Sequence, residues 1–184
     1  HKFSTWQAEA ADKYAMLLKT DLSSFYDSIS HEHLINSLMR EFLLKKDDPI
    51  VILLSNMLRI KHVYSASDEP LEVIHGITIG PLGNQILSNL ILNQIDHILQ
   101  TFPGVEYGRY VDDIRIFGND VNTIKHALNE LQRELYNIGL NINGAKTKYA
   151  GRKDLLKRLI SEKMLSYTVE EDLASLRAPT QTEV

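Results

Sequence analysis

Asp112 and Asp113 stand side by side in "GRYVDDIRIFG", residues 108 to 118, between two runs that otherwise read as β-strands. Two like charges at such a bend weaken strand propensity and repel one another, so a compensating positive charge is expected there. A third carboxylate, Asp21, comes near the end of the mostly apolar run "YAMLLKTDL" at 14 to 22. If that strand lies beside the hairpin, the three carboxylates converge at one edge of a sheet. Clustered carboxylates raise one another's pKa values, and hard divalent cations remove that cost. Mg²⁺ takes oxygen ligands and is usually held by one or two carboxylates together with substrate phosphates. Two such ions, roughly 3.5 to 4 Å apart, can activate an attacking hydroxyl and stabilise a leaving oxygen in an in-line phosphoryl displacement. Two ions of Mg²⁺ or Mn²⁺ are the cofactor this reading expects. The same three residues also suit a solvated turn and a plain strand end, because aspartate is a favoured turn former.

The elements that must position these groups follow from periodicity. After the strand at 14 to 22, Ser30 can cap a helix carrying Leu34, Ile35, Leu38, Met39 and Phe42. Asp48 and Pro49 open a second helix that buries Val51, Leu54 and Leu58. A long helix from "GPLGNQILSNLILNQIDHILQ" presents Ile86, Leu87, Leu90, Ile91, Ile95, Ile98 and Leu99 on one wide apolar face, and "TFPG" stops it. The hairpin comes next, then a helix capped by Asn119 or Asp120, carrying Ile124, Leu128, Leu131 and Leu135 and ended by Gly139. "LNIN" and "TKYAG" are two further short strands. This order predicts an α+β fold, an antiparallel sheet with helices packed on one face.

Composition bounds the rest. The chain has 184 residues, 43% of them apolar and 24% charged, which suits one domain with an appendage. It has no cysteine, so disulfides and thiolate metal sites are excluded. No apolar run approaches a membrane span and no signal-peptide pattern opens the chain, so a soluble, cytoplasmic protein is expected. The formal charge is −4, yet Lys146, Lys148, Arg152, Lys153, Lys157 and Arg158 gather in one stretch opposed only by Asp154. Such a local basic patch can meet nucleic-acid phosphates, although each member taken alone reads as a solvated surface lysine or arginine. His31 and His33 flank Glu32 but do not share a helix face, so they read as surface residues of a first turn. Asp96, late in the long helix, is expected to meet solvent.

Four stretches carry a family resemblance. "YVDD" at 110 to 113 resembles the YxDD signature of reverse transcriptases, and "LLKTDLSSFYDSI" at 17 to 29 their first aspartate motif. "GITIGPLGNQILSNLILNQID" at 76 to 96 is similar to their glycine-and-proline-led helix, and "GLNINGAKT" at 139 to 147 to the following lysine motif. The four occur in the family's order. The resemblance implies a polymerase palm with a ferredoxin- or RRM-like core over residues 1–150, with partial fingers, and a helical extension over 151–184 toward a missing thumb or linker. It implies that Asp21 and Asp112 are the main metal ligands, that Asp113 assists or stands behind them, and that the carbonyl of Leu22 helps hold the nucleotide-side ion. Tyr26 falls at the steric-gate position that crowds a ribose 2′-hydroxyl; the alternative is a ring packed beneath the sheet. Phe25 is expected to face the core. Lys146 matches the lysine near the triphosphate, where it could stabilise or protonate departing pyrophosphate; the alternative is a solvated loop lysine. Ile79, Gly80 and Pro81 would line the nucleotide. The implied partners are an RNA template, a DNA or RNA primer and dNTPs.

Two features depart from the family pattern. Ile79 stands where most reverse transcriptases place a glutamine, and an apolar side chain cannot supply that residue's hydrogen bonds. In this, and in the arginine and valine of "RYVDD", the chain looks more like bacterial abortive-infection and other defence-associated reverse transcriptases, some of which extend DNA without a template or on a protein primer. A non-catalytic palm scaffold is the reading from another class. The chain opens on His1, and few residues precede Asp21. It is therefore expected to be a piece of a longer protein, with fingers and thumb elsewhere, that binds Mg²⁺ or Mn²⁺ but polymerises poorly alone.

Overall fold

A computed structural model describes residues 2–58, 74–77 and 82–151. The strand expected at 14 to 22 is β1, Met16–Asp21, and the hairpin is β2, Val105–Tyr110, with β3, Asp113–Gly118. With β4, Lys148–Ala150, they form a four-stranded sheet of order β2-β3-β1-β4 in which every pairing is antiparallel. The "LNIN" stretch contributes a single bridge, Leu22 to Ile142.

Alternation along the strands separates two faces. Leu18, Ile114, Ile116 and Tyr107 point into the main core, which they share with Ile91, Leu92, Ile95 and Leu99 of helix α5, Leu82–Gln100, and Ile124, Ala127, Leu131 and Leu135 of helix α6, Val121–Asn137. Leu17, Phe117 and Ala150 point the other way and pack under helix α1, Lys2–Lys13, which contributes Ala10, Ala11 and Trp6. Periodicity did not single out α1, because the residues it buries are Gln7 and two alanines. Its seat depends on Gly108, where a Cβ would meet the Trp6 ring at 2.5 Å.

The expected helices are present with local signals as anticipated. After a single helical turn, α2, Phe25–Ser28, helix α3, His31–Glu41, starts with the Ser30 hydroxyl accepting from the His33 N–H. Helix α4 spans Pro49–Leu58; the Asp48 carbonyl accepts from Val51 and Ile52, while its carboxylate turns back to the Lys45 N–H. The α6 N-terminus is capped by Asp120, which accepts from the backbone and hydroxyl of Thr123, and these bonds hold its pKa below the usual carboxylate value. At the other end Gly139, at φ 77°, bonds to Tyr136 O and Leu140 to Leu135 O, the paired arrangement of a glycine-terminated helix.

Helix α3 packs on α5, and α4 on α3. Phe42 and Ile86, both assigned to buried faces by periodicity, are 61% and 63% exposed. Phe42 lies past the last helical turn of α3. Leu92, outside that predicted stripe, is buried in the core. Among the described residues no helix is long and apolar enough to cross a membrane.

Leu131 is fully buried between α6 and the sheet. Leu131→Ala is expected to cost about 2–5 kcal/mol in urea unfolding, as cavity-forming core truncations do; a loss below about 1 kcal/mol would show that α6 is not an integral part of the core.

Candidate metal and nucleotide site

The β1–β3 register sets Asp21 directly opposite Asp113, and Asp112 occupies the hairpin turn next to it. The convergence expected from the sequence is therefore met at the level of the backbone. Like charges directly opposite one another destabilise an antiparallel pair, and two cations compensate them. Lys146 Nζ lies 2.5 Å from Asp21 Oδ2, and the Arg115 guanidinium grips both carboxylate oxygens of Asp113.

Lys146 reaches Asp21 from a single 3₁₀ turn, Gly144–Lys146, that the backbone ties to the end of β1. The Asn143 N–H donates to Asp21 O at 2.6 Å, and the Asn143 side chain accepts from the Lys146 N–H. The Lys146 pKa is raised, chiefly by the hydrogen bond and charge of Asp21, with Asp112 and Asp113 adding their attraction. One point cation thus sits in the field of all three carboxylates.

The donors suit a hard divalent cation, which needs only one or two carboxylates from the protein. Among the described residues, however, no group of three or more His, Asp or Glu side chains is arranged to hold a metal ion. Asp113 has both oxygens turned to Arg115. Asp21, at the end of β1, and Asp112, in the adjoining turn, are the carboxylates that would hold such an ion. Leu22 adds to them. Its bridge to Ile142 is of the type in which the flanking residues exchange the bonds, Ser23 N to Asn141 O and Asn143 N to Asp21 O. The Leu22 carbonyl therefore points away from that neighbour, toward the hairpin side.

The turn itself is strained. Val111 has φ 57°, a left-handed conformation that a β-branched residue rarely adopts. Arg109 holds it: its guanidinium donates to Val111 O at 2.9 Å, to both oxygens of Asp96 on α5 at 2.8 and 2.7 Å, and to Asn89 Oδ1 at 2.8 Å. Tyr107 O–H also donates to Asp96, at 2.9 Å, and its pKa is pushed well above the ordinary tyrosine value, first by burial and then by the Asp96 charge. The expectation that Asp96 meets solvent is thus corrected, since it is the shared acceptor that ties the hairpin to α5. Beside the turn opens a cleft of about 460 Å³ with Phe3, Trp6 and Tyr110 among its walls.

Phe25 is buried in the core, as expected. Tyr26 packs partly against the core, its ring 5.2 Å from that of Phe25, and its carbonyl accepts from the Ile77 N–H at 2.9 Å. Gly76, at φ 90°, crosses close over Asp27, where a Cβ would lie 3.3 Å from the Asp27 carbonyl oxygen. His31 is not a surface residue; it is buried, and its Nε2 lies 2.7 Å from Gly76 O. The chain that leads into Ile79, Gly80 and Pro81 therefore arrives beside Tyr26. Those three residues lie outside the described ones, as do Arg152, Lys153, Lys157 and Arg158 and the extension beyond residue 151.

Sequence reasoning missed the roles of Arg115, Asp96 and Gln7. A signal for the first existed: strand period places Asp113 and Arg115 on one face of an otherwise apolar run, where a buried cation needs an acid.

An antiparallel sheet backed by two long helices, with carboxylates meeting at the end of one strand and the turn of a neighbouring hairpin, defines a polymerase palm. Residues 1–167 match the family model described as reverse transcriptase (RNA-dependent DNA polymerase), and the chain belongs to that family. Solved structures share the fold. Telomerase from Candida albicans, in complex with a TWJ fragment of telomeric RNA, superposes with a TM-score of 0.63 at 14% identity over 81% of this chain and 30% of that one. Apo telomerase from Candida tropicalis gives 0.62 at 12% identity, over 82% and 32%. A form truncated from its C-terminal domain gives 0.60 at 15%, over 81% and 34%. The chain thus spans about a third of the length of these telomerase chains. No curated protein matches it.

Asp96→Ala strands the Arg109 guanidinium and removes the Tyr107 acceptor. Denaturant unfolding should show a loss of about 2 kcal/mol, below the scale of a fully buried ion pair because this one is partly exposed; an effect no larger than that of an exposed Asp→Ala change would disprove the clamp.

Proposed function

We propose that this chain is the catalytic palm of an RNA-directed DNA polymerase, within a longer protein, and that it adds deoxynucleotides from dNTPs to a primer 3′ end paired with an RNA template. The observation that carries this reading is the register that sets Asp21 opposite Asp113, with Asp112 in the adjoining turn and the Lys146 ammonium 2.5 Å from Asp21. A cluster of that kind has an evident use as a cation cradle and none as a plain turn.

In this reading Asp21, Asp112 and the Leu22 carbonyl hold Mg²⁺ or Mn²⁺. Two such ions would supply activation of the attacking 3′-hydroxyl and neutralisation of the leaving oxygen. Lys146, exposed along its length but anchored by its head group, is placed to pass from Asp21 to the incoming phosphates and to stabilise or protonate pyrophosphate. Tyr26 would crowd the ribose 2′ position, with Ile79, Gly80 and Pro81 completing the nucleotide pocket. Residues 1–150 form the palm with partial fingers, and 151–184 lead toward a thumb or linker.

A second reading rests on Ile79. Without a hydrogen-bonding side chain there, the same site would suit untemplated or protein-primed DNA synthesis in a bacterial antiviral defence system. Incubating the full-length protein with each dNTP, with and without RNA template, separates the two, since template-independent product sequence excludes ordinary reverse transcription. A non-catalytic scaffold would be indifferent to the aspartates.

Two outcomes test the site. In the full-length protein Asp112→Asn should reduce nucleotide addition by about two orders of magnitude or more; unchanged addition would sink the catalytic reading. Lys146→Ala should slow addition by about 100-fold while tightening Mn²⁺ binding, because the competing ammonium is gone; slower addition with weaker Mn²⁺ binding would place Lys146 in support of the cradle instead.

A further inference from the structure

Arg115 is the most deeply buried charge in the described structure, 1% exposed, in a strand whose every residue is buried. Its Nη atoms hold both oxygens of Asp113, itself 2% exposed, and Nη1 also donates to the Ile114 carbonyl. Its Nε donates to Gln7 Oε1 at 3.2 Å, and Gln7 is a buried amide on α1. The register sets Gly108 opposite Arg115, and the Trp6 ring covers that glycine while its Nε1 donates to Glu106 at 2.8 Å. Helix α1 thus seals the ion pair from above and supplies the acceptor that orients the guanidinium. A bidentate fork with a third fixed bond leaves the carboxylate little freedom.

We propose that Arg115, oriented by Gln7, is a positioning residue for the metal site. It withdraws Asp113 from cation binding and uses it as the anchor that fixes the base of the hairpin turn, so that Asp112 is presented at a set distance from Asp21. This deepens the polymerase reading and rests on it. The division of labour has a physical reason. Three carboxylates converging on one site repel each other more than a cation with one or two protein carboxylates requires. An internal counter-ion removes the surplus charge without relaxing the backbone.

The test is Mn²⁺ titration of the intact chain, followed by electron paramagnetic resonance of the free ion, with folding checked by the fluorescence of Trp6, the one tryptophan. Asp112→Asn is expected to weaken Mn²⁺ binding more than tenfold. The paired change Asp113→Asn with Arg115→Gln removes both charges and the anchor together and weakens binding several-fold, well short of the loss in Asp112→Asn. Gln7→Leu, which keeps α1 docked, weakens binding several-fold, and this effect falls below twofold in the paired background because Gln7 acts only through Arg115. Loss of Mn²⁺ binding in the paired variant to the extent seen in Asp112→Asn makes Asp113 a ligand and overturns the inference while leaving the polymerase reading standing. An unchanged affinity in Gln7→Leu overturns it as well, whether or not the paired variant folds. Absence of Mn²⁺ binding to the unaltered chain overturns the reading and the inference together.

Discussion

Asp21 and Asp113 face each other across two hydrogen-bonded strands, and the rest of the site exists because that arrangement needs positive charge. The antiparallel register leaves no alternative, since β1 ends where β3 begins. Like charges so placed would push the strand ends apart. Each is instead satisfied by a cation of a different kind. Lys146 meets Asp21 from a flexible, solvent-facing stem, and Arg115 meets Asp113 from inside the sheet. The first cation can leave and the second cannot, which separates the exchangeable half of the site from its fixed half.

The fixed half extends through both faces of the sheet. On one face Arg109 ties the strained Val111 carbonyl to Asp96 and Asn89 of α5. On the other, Gln7 and Trp6 of α1 hold Arg115 and cover Gly108. A left-handed valine persists only where its surroundings over-determine it. Here a guanidinium bonded to a half-buried carboxylate on one side and a helix wedged against the strand on the other supply that constraint. The hairpin tip is therefore clamped between α5 and α1, and its carboxylates inherit their positions from one helix just upstream and one about a hundred residues away.

Much of this was legible in the residues. Strong periodicity with explicit caps located β1, the hairpin, α3, α5 and α6, and the Ser30, Asp120 and Gly139 boundaries follow from side-chain bonds and a positive φ that sequence can signal. The aspartates' convergence followed from strand ends and turn. What stayed hidden has a common cause. Helix α1 buries small and polar side chains, so its inward face carries no apolar stripe. Asp96 and His31 are polar residues whose burial depends on partners, Arg109 and the Gly76 carbonyl, that only the fold brings near. Lys146 and Asp21 are 125 positions apart, and no local pattern distinguishes an ammonium that bonds a carboxylate from one that meets water.

The charge of the whole chain gives the division between Asp113 and the other two aspartates its purpose. At −4 the chain repels phosphate at long range, and the proposed chemistry brings a triphosphate and a nucleic-acid backbone to a site with three aspartates. Adding exposed lysines around the aspartates would attract phosphate but also compete with the cation, as Lys146 does at Asp21. A counter-ion buried beneath the turn avoids that conflict, because it offers no free donor to the substrate and yet lowers the field that the substrate must enter. Burying Arg115 beneath α1 and leaving Lys146 exposed thus solves two electrostatic problems with two side chains that differ in reach and solvation.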